Sequence, residues 1–213
     1  MKTIVINIYG GPGTGKSVTA AMLYSVLATS SRYGVVEHVT EYAKQLVWRI
    51  KRNPEIIKKL KDQEHVSNEQ TERVVSVCGQ ADFIITDSPI RMGLVYQLYN
   101  NKDKKEEQYN KIENMMITAE KEYEEVNIFL RRSTNEKFQK EGRIHSEEES
   151  LDLDKRIENH LVENHIPYVE IYNKSDIGSV IGEIEEHLIV ARQKKIESVL
   201  VDQPQQTNKT IIR

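Results

Sequence analysis

Residues 3–19 read TIVINIYGGPGTGKSVT, and the fold follows from how that stretch changes character along its length. Ile4, Val5, Ile6 and Ile8 make an apolar, β-branched run that predicts a buried strand. The run breaks at a glycine-rich turn. A helix-compatible stretch follows, with Val18, Met22 and Val26, and Leu23 and Leu27, at i, i+4 spacing. Between them Gly10 to Ser17 fit G-x-x-x-x-G-K-[ST], the phosphate-binding loop. Glycines leave no Cβ in the way, so successive backbone N–H groups can curl round an anion. The following helix adds its unpaired N–H groups and positive dipole end. Lys16 is then expected to reach the β- and γ-phosphates, and the Ser17 hydroxyl to complete a Mg²⁺ shell. The expected cofactor contacts are Gly11, Pro12, Gly13, Thr14, Gly15, Lys16, Ser17 and Val18, with ATP, or alternatively GTP, as the nucleotide.

The 213 residues suffice for one domain with a substantial core. Lys and Arg number 30 against 33 Asp and Glu, and the resulting net charge of −3 gives no global pull toward nucleic acid or membrane. A single cysteine, Cys78, fits a reducing cytoplasm. A core strand at the very start leaves no room for a signal peptide, and no apolar run is long enough to span a bilayer. The expectation is a cytoplasmic protein with no membrane partner. A homo-oligomer is left open.

Downstream, residues 35–40 (VVEHVT) predict a second strand, followed by Glu41. In an open parallel sheet, ligands sit beyond the carboxyl ends of strands. Glu41 is therefore either a base for an attacking hydroxyl or a helix N-terminal carboxylate. Residues 42–80 read as helical with a break at Asn53-Pro54. Lys58, Lys59 and Lys61 suit a solvated face, and Gln63, Gln70 and Arg73 read as ordinary surface polarity. The third strand, residues 83–87 (FIITD), ends in Asp87, the pattern of a carboxylate set beside the metal opposite Ser17. Arg91 either contacts a transferred phosphoryl group or caps a surface helix.

Residues 92–125 predict helix with a polar middle, and 126–130 (VNIFL) a fourth strand closed by Arg131 and Arg132. The polar stretch 133–150, with Lys137, Lys140 and Arg143, lies where a mobile lid would close arginines over phosphates; Arg132 and Arg143 are the favoured groups. Ser146 to Glu149 form a capping-box pattern. It opens a helix with Leu151, Ile157 and Leu161 inward and Asp152 and Asp154 toward solvent. A fifth strand is expected at 166–172 and a last helix at 177–197. Between them Asn173 to Asp176 spell N-K-x-D, a guanine-selecting tetrapeptide in GTPases, here read as a helix cap. Residues 1–200 are expected to form one domain, with 201–213 a polar tail.

Six pieces taken together resemble the P-loop nucleoside and nucleotide kinases: GGPGTGKS at 10–17, VTEYAK at 39–44, DFIITDSP at 82–89, FLRR at 129–132, EGRIHSEEE at 141–149 and IPYVEI at 166–171. More narrowly they are similar to the nicotinamide riboside kinase domain of NAD-biosynthesis proteins and to small, mostly phage-encoded AAA-family ATPases. The resemblance implies an α/β, three-layer P-loop fold. Its parallel sheet has five strands in the order 2-3-1-4-5, with helices on both faces and a lid after strand 4. It favours Glu41 as an acid/base, Asp87 near the metal, and Arg132 and Arg143 as lid groups. The chain departs from the pattern in having Asp87-Ser88-Pro89 where an Asp-Arg-Ser triplet is expected.

The leading expectation is a kinase moving the γ-phosphoryl of ATP, with Mg²⁺, to a nucleoside, nucleotide or nucleoside-like molecule. Lys16, Glu41, Asp87, Arg132 and Arg143 would be its catalytic set, with Ser17 and Asp87 at the metal. A nucleotide-dependent switch, ATPase or GTPase acting through a protein partner is a second class. A kinase acting on a modified base in DNA is a third, disfavoured by the near-neutral charge.

Overall fold

The computed structural model describes residues 2–100, 106–132, 138, 140–172 and 176–186. The polar stretch 101–105, Lys137, the first three residues of the N-K-x-D tetrapeptide, the last helix beyond residue 186 and the tail lie outside the described residues. The elements run β1 (Thr3–Tyr9), α1 (Lys16–Ala28), β2 (Val36–Val39), α2 (Tyr42–Ile50), α3 (Ile56–Lys61), α4 (Gln63–Val75), β3 (Phe83–Thr86), α5 (Met92–Asn100), α6 (Glu106–Ala119), β4 (Tyr123–Leu130), α7 (Glu147–Glu163) and β5 (Val169–Ile171). Residues 177–186 are helical. The five strands form one parallel sheet in the order β2-β3-β1-β4-β5, as expected.

Every residue of β1 is buried, because β1 is central and covered on both faces. Ile4, Ile6 and Ile8 join Leu23 and Leu27 of α1 and Val180 and Ile184 of the last helical segment. On the other face Val5 packs with Ile84 and with Leu94, Ile112 and Met116 of α5 and α6. Tyr9 on that face packs with Phe129, Ile157 and Leu161. A separate cluster joins α2, α3 and α4 through Tyr42, Leu46, Ile56, Leu60 and Val66.

Three boundaries depart from expectation. β4 begins at Tyr123, not 126, because Tyr123 to Glu125 pair in register with Thr3 to Val5 of the central strand. β5 contracts to three residues, matching the three of β4 that it meets. The capping box forms: the Ser146 hydroxyl accepts from the Glu149 N–H while the Glu149 side chain accepts from the Ser146 N–H. The helix it opens turns Leu151 to solvent, and Ser150, Leu153, Ile157 and Leu161 form its buried stripe.

Arg91 neither reaches the phosphate loop nor caps a helix. It bonds Glu120, 29 residues on, at 2.6 Å, with both side chains largely buried. Burial pushes the Glu120 carboxyl up to about 7, with Glu125 adding to the push against the opposing pull of Arg91. A carboxyl raised by folding contributes stability that is full below its unfolded value and is lost as pH rises through its folded value. Relative to the parent, Glu120→Gln should therefore gain stability between pH 5 and pH 8, by on the order of 1–3 kcal/mol. Urea denaturation at the two pH values measures the difference, and a pH-independent offset would contradict it.

Candidate functional site

The β1–α1 corner builds a concave wall from backbone. Gly15 takes φ 103° at the N-cap of α1, a left-handed conformation that L side chains resist, and its C=O accepts from the N–H groups of Val18 and Thr19. Thr14 closes the loop through its N–H and hydroxyl on the Gly11 C=O. The Lys16 ammonium folds into this loop and donates to the C=O of Gly10 at 2.6 Å and Gly11 at 2.9 Å. At 8% exposure its ordinary pKa is lowered by burial, with the nearby carboxylates of Glu41, Asp87 and Asp154 opposing.

Glu41 and Asp87 arrive from neighbouring strand ends. Asp87 follows β3 directly and is 3% exposed, and its Oδ1 accepts the Glu41 N–H at 3.2 Å. Glu41 caps the start of α2 without a side-chain cap bond. Its carboxyl is raised by burial, and by Asp87, against the pull of Lys16. The Ser17 hydroxyl accepts from Lys44 at 3.2 Å. Ser17 and Asp87 offer the hard oxygens that Mg²⁺ takes, few in number, as expected where phosphate oxygens and water complete the shell.

Two arginines come from the chain between β4 and α7. Arg132 donates through Nε to Asp154 at 2.7 Å and through Nη2 to the Pro12 C=O at 2.9 Å. Arg143 lies over the Phe138 ring at 5.6 Å, within the electrostatic reach of Glu41 and Arg132. Burial and Arg132 lower its pKa while Glu41 opposes. The structure thus gathers Lys16, Glu41, Asp87, Arg132 and Arg143 around one loop. Val18 lies half-exposed at the cavity edge, and Lys140 is exposed.

Beyond Glu41 opens a cavity of about 290 Å³. Val47, Trp48, Leu60, Val66, Ile90, Met92 and Ile144 give it apolar walls, and Gln63, Ser67, Gln70, Tyr96 and His145 give it polar points. Gln63 and Gln70 are not surface polarity: they are 7% and 4% exposed. The Gln70 Oε1 accepts the Tyr42 N–H, which fixes the amide, and its buried Nε2 has no hydrogen-bond partner among the described residues. Gln63 donates to Ser67 on the next turn of α4. Arg73, by contrast, stays at the surface on Gln45 and the Tyr42 ring. Burial lowers the pKa of His145 and, with Glu41 and Asp154, raises that of the Tyr96 hydroxyl.

Asp154, expected in solvent, instead sits against the loop, accepting the Gly11 N–H at 2.5 Å as well as Arg132. The signal was available in its spacing, since residue 154 shares the stripe of Ser150, Leu153, Ile157 and Leu161. Gln63, Ser67 and Gln70 likewise fall on the stripe of Val66 and Val74. Asp152 does face outward, paired with Arg156.

The chain matches the family model described as an AAA domain (AAA_28) over residues 5–177. No curated protein sequence matches it. Among solved structures, deoxyadenosine kinase from M. mycoides with the product dCMP and a flexible dCDP bound is similar at TM-score 0.59 and 19% identity, covering 87% of this chain and 99% of that one. The same enzyme with bound dATP gives TM-score 0.54 and 19% identity, covering 86% and 98%. The NadR protein in complex with NAD and AMP-PNP gives TM-score 0.55 and 14% identity, covering 86% of this chain and 49% of NadR. At these identities the likenesses show a shared fold.

A Cβ on Gly11 would meet the Asp154 Oδ1 at 2.5 Å and the Ser150 C=O at 2.6 Å. Gly11→Ala should therefore force α7 off the loop and cost about 1–3 kcal/mol in urea denaturation. Gly79→Ala is the control: its added Cβ meets nothing within 4 Å, so only the strain of its positive φ, about 1–2 kcal/mol, is expected. Unaltered nucleotide affinity and stability in Gly11→Ala would show that the close approach of α7 is not required.

Proposed function

The chain belongs to the AAA-domain family, and from that premise we propose that it is a kinase moving the γ-phosphoryl of ATP to a hydroxyl of a neutral nucleoside-like molecule. The observation that carries the reading is that one cavity is lined by the Lys16 loop, by Glu41 and by the apolar and amide side chains of α2 and α4. Its lining cations, Lys16, Lys44 and Arg143, gather at the loop end, whereas Gln63, Ser67 and Gln70 are uncharged. Such a gradient suits a polyphosphate on one side and an uncharged ring on the other. The fixed Gln70 amide, with its unpartnered N–H, favours an acceptor bearing a carbonyl or ring nitrogen.

In this reading the backbone of Gly13 to Ser17 cradles the β- and γ-phosphates, and Lys16 exchanges its loop carbonyls for phosphate oxygens. Ser17 and Asp87 would hold Mg²⁺, which would supply positive charge against the phosphates. Glu41 accepts the proton as the acceptor oxygen bonds to phosphorus and the bond to ADP breaks. Its raised pKa suits a group that must take that proton. Arg143 and Arg132 stabilise charge on the transferred group. Most of the rate would come from position and charge, as is general for this chemistry.

With Mg²⁺, ATP and a panel of nucleosides, nucleoside monophosphates, nicotinamide riboside and short DNA, product should form from one or more of the nucleosides. Lys16→Ala should abolish it. Glu41→Gln should lower kcat by about 10²–10⁴ and leave ATP affinity by calorimetry unchanged. The parent's acidic limb should fall above the ordinary carboxylate value of 4.5, because Glu41 must be ionised, and it should vanish in Glu41→Gln. ATP hydrolysis without any phosphorylated product, or full turnover by Glu41→Gln, would overturn the reading.

A further inference from the structure

Two side chains from outside the phosphate loop, Asp154 and Arg132, take up the loop's own backbone. The Asp154 Oδ1 accepts the Gly11 N–H and its Oδ2 accepts Arg132 Nε, while Arg132 Nη2 returns to the Pro12 C=O. The result is a closed ring: Gly11 to Asp154, Asp154 to Arg132, Arg132 to Pro12. Arg132 Nη1 meanwhile lies 3.3 Å from where a Cβ on Gly13 would stand, so the guanidinium is spread along the crest of the loop. The Asp154 and Arg132 side chains are 16% and 17% exposed, which keeps this ion pair from being diluted by solvent as surface pairs are.

We propose that Asp154 is a positioning residue for phosphoryl transfer, acting through Arg132 and the Gly11 amide to hold a cation over the γ-phosphate end of the loop. The inference rests on the kinase reading and deepens it. Arg132 lies two residues beyond the end of β4, and its side chain bonds Asp154 and the Pro12 C=O. Those two partners fix its direction at both edges of the guanidinium plane, in the manner that a second carboxylate orients a catalytic group. Because Asp154 rides on α7, whose N-terminus follows the lid residues 140–145, it also ties the lid helix to the loop.

Asp154→Asn separates the two contacts. The amide oxygen can still accept the Gly11 N–H, but the NH₂ group then faces Arg132 Nε donor to donor and expels it. Arg132→Ala and the double variant complete the set, with urea denaturation as the check on folding. Asp154→Asn should lower kcat about tenfold to a hundredfold while the acceptor KM moves less than about threefold. Calorimetry with Mg²⁺ should find the preference for ATP over ADP reduced about tenfold, because Arg132 no longer meets the γ-phosphate. In the Arg132→Ala background, adding Asp154→Asn should have no further effect on either quantity. Parent-like kcat and nucleotide preference in Asp154→Asn, or losses that multiply in the double variant, would overturn the proposal. The affinity comparison needs no acceptor: a parent protein that binds ATP but phosphorylates nothing on the panel refutes the kinase reading, and the ATP-to-ADP ratio still decides the role of Asp154.

Discussion

A lysine ammonium almost cut off from water is the constraint on which the rest of the structure depends. Lys16 gains two loop carbonyls, but hydrogen bonds to neutral oxygens do not replace the hydration of a full charge. Glu41 and Asp87 supply the missing field, and the sheet is what brings them. Asn7 of β1 pairs with Thr86 of β3, which pairs with Val39 of β2, so one row of backbone crosses three strands. Asp87 lies one residue past that row and Glu41 two, level with the loop that begins at Gly10. With β3 placed between β1 and β2, both acids open on the same corner. Neither carboxylate could face Lys16 if either strand slipped by one residue, because each slip turns a side chain to the other face.

The central strand, the loop and the acids at the strand ends were legible because their signals are local, whereas the strand order came from the resemblance alone. A β-branched run, a glycine spacing and an acid at a strand end each occupy a few consecutive residues, and each has one physical solution. The capping box at Ser146 and Glu149 belongs to the same kind, since its four residues satisfy each other. What escaped was set by partners distant in sequence. Arg91 has no local cue that Glu120 awaits it at the end of α6. Tyr123 to Glu125 look like surface until Thr3 to Val5 need a neighbour.

The polar residues of the site fall between these extremes. Asp154, Gln63, Ser67 and Gln70 each occupy a helical position that their apolar neighbours mark as inward-facing. Read by residue type they are surface groups; read by phase they are buried ones. Phase is the better guide, because a helix cannot rotate one residue out of its stripe. A polar group left on the stripe must find a partner inside or offer itself to a ligand. Ser67 meets Gln63, Asp154 meets Gly11 and Arg132, and Gln70 is satisfied on its oxygen alone. Each of these residues fronts the loop or the cavity, so a departure from binary patterning marked the site even where the role of the individual residue could not be read.

The two buried charge clusters are connected through α5. Arg91 immediately precedes that helix, and its bond to Glu120 ties the start of α5 to the end of α6 behind the sheet. From the next residue onward α5 turns Met92, Gly93 and Tyr96 into the cavity wall. On its far side Met92 and Val95 pack with Ile157 and Leu161 of α7, the helix that carries Asp154 to the loop. A shift of α5 would therefore be felt both at the cavity wall and at the Gly11–Asp154 contact, since packed helices move as rigid neighbours. The Arg91–Glu120 pair, remote from any phosphate, thus works on the site through geometry. It braces α5 against α6, and the Asp154 contact braces α7 against the loop.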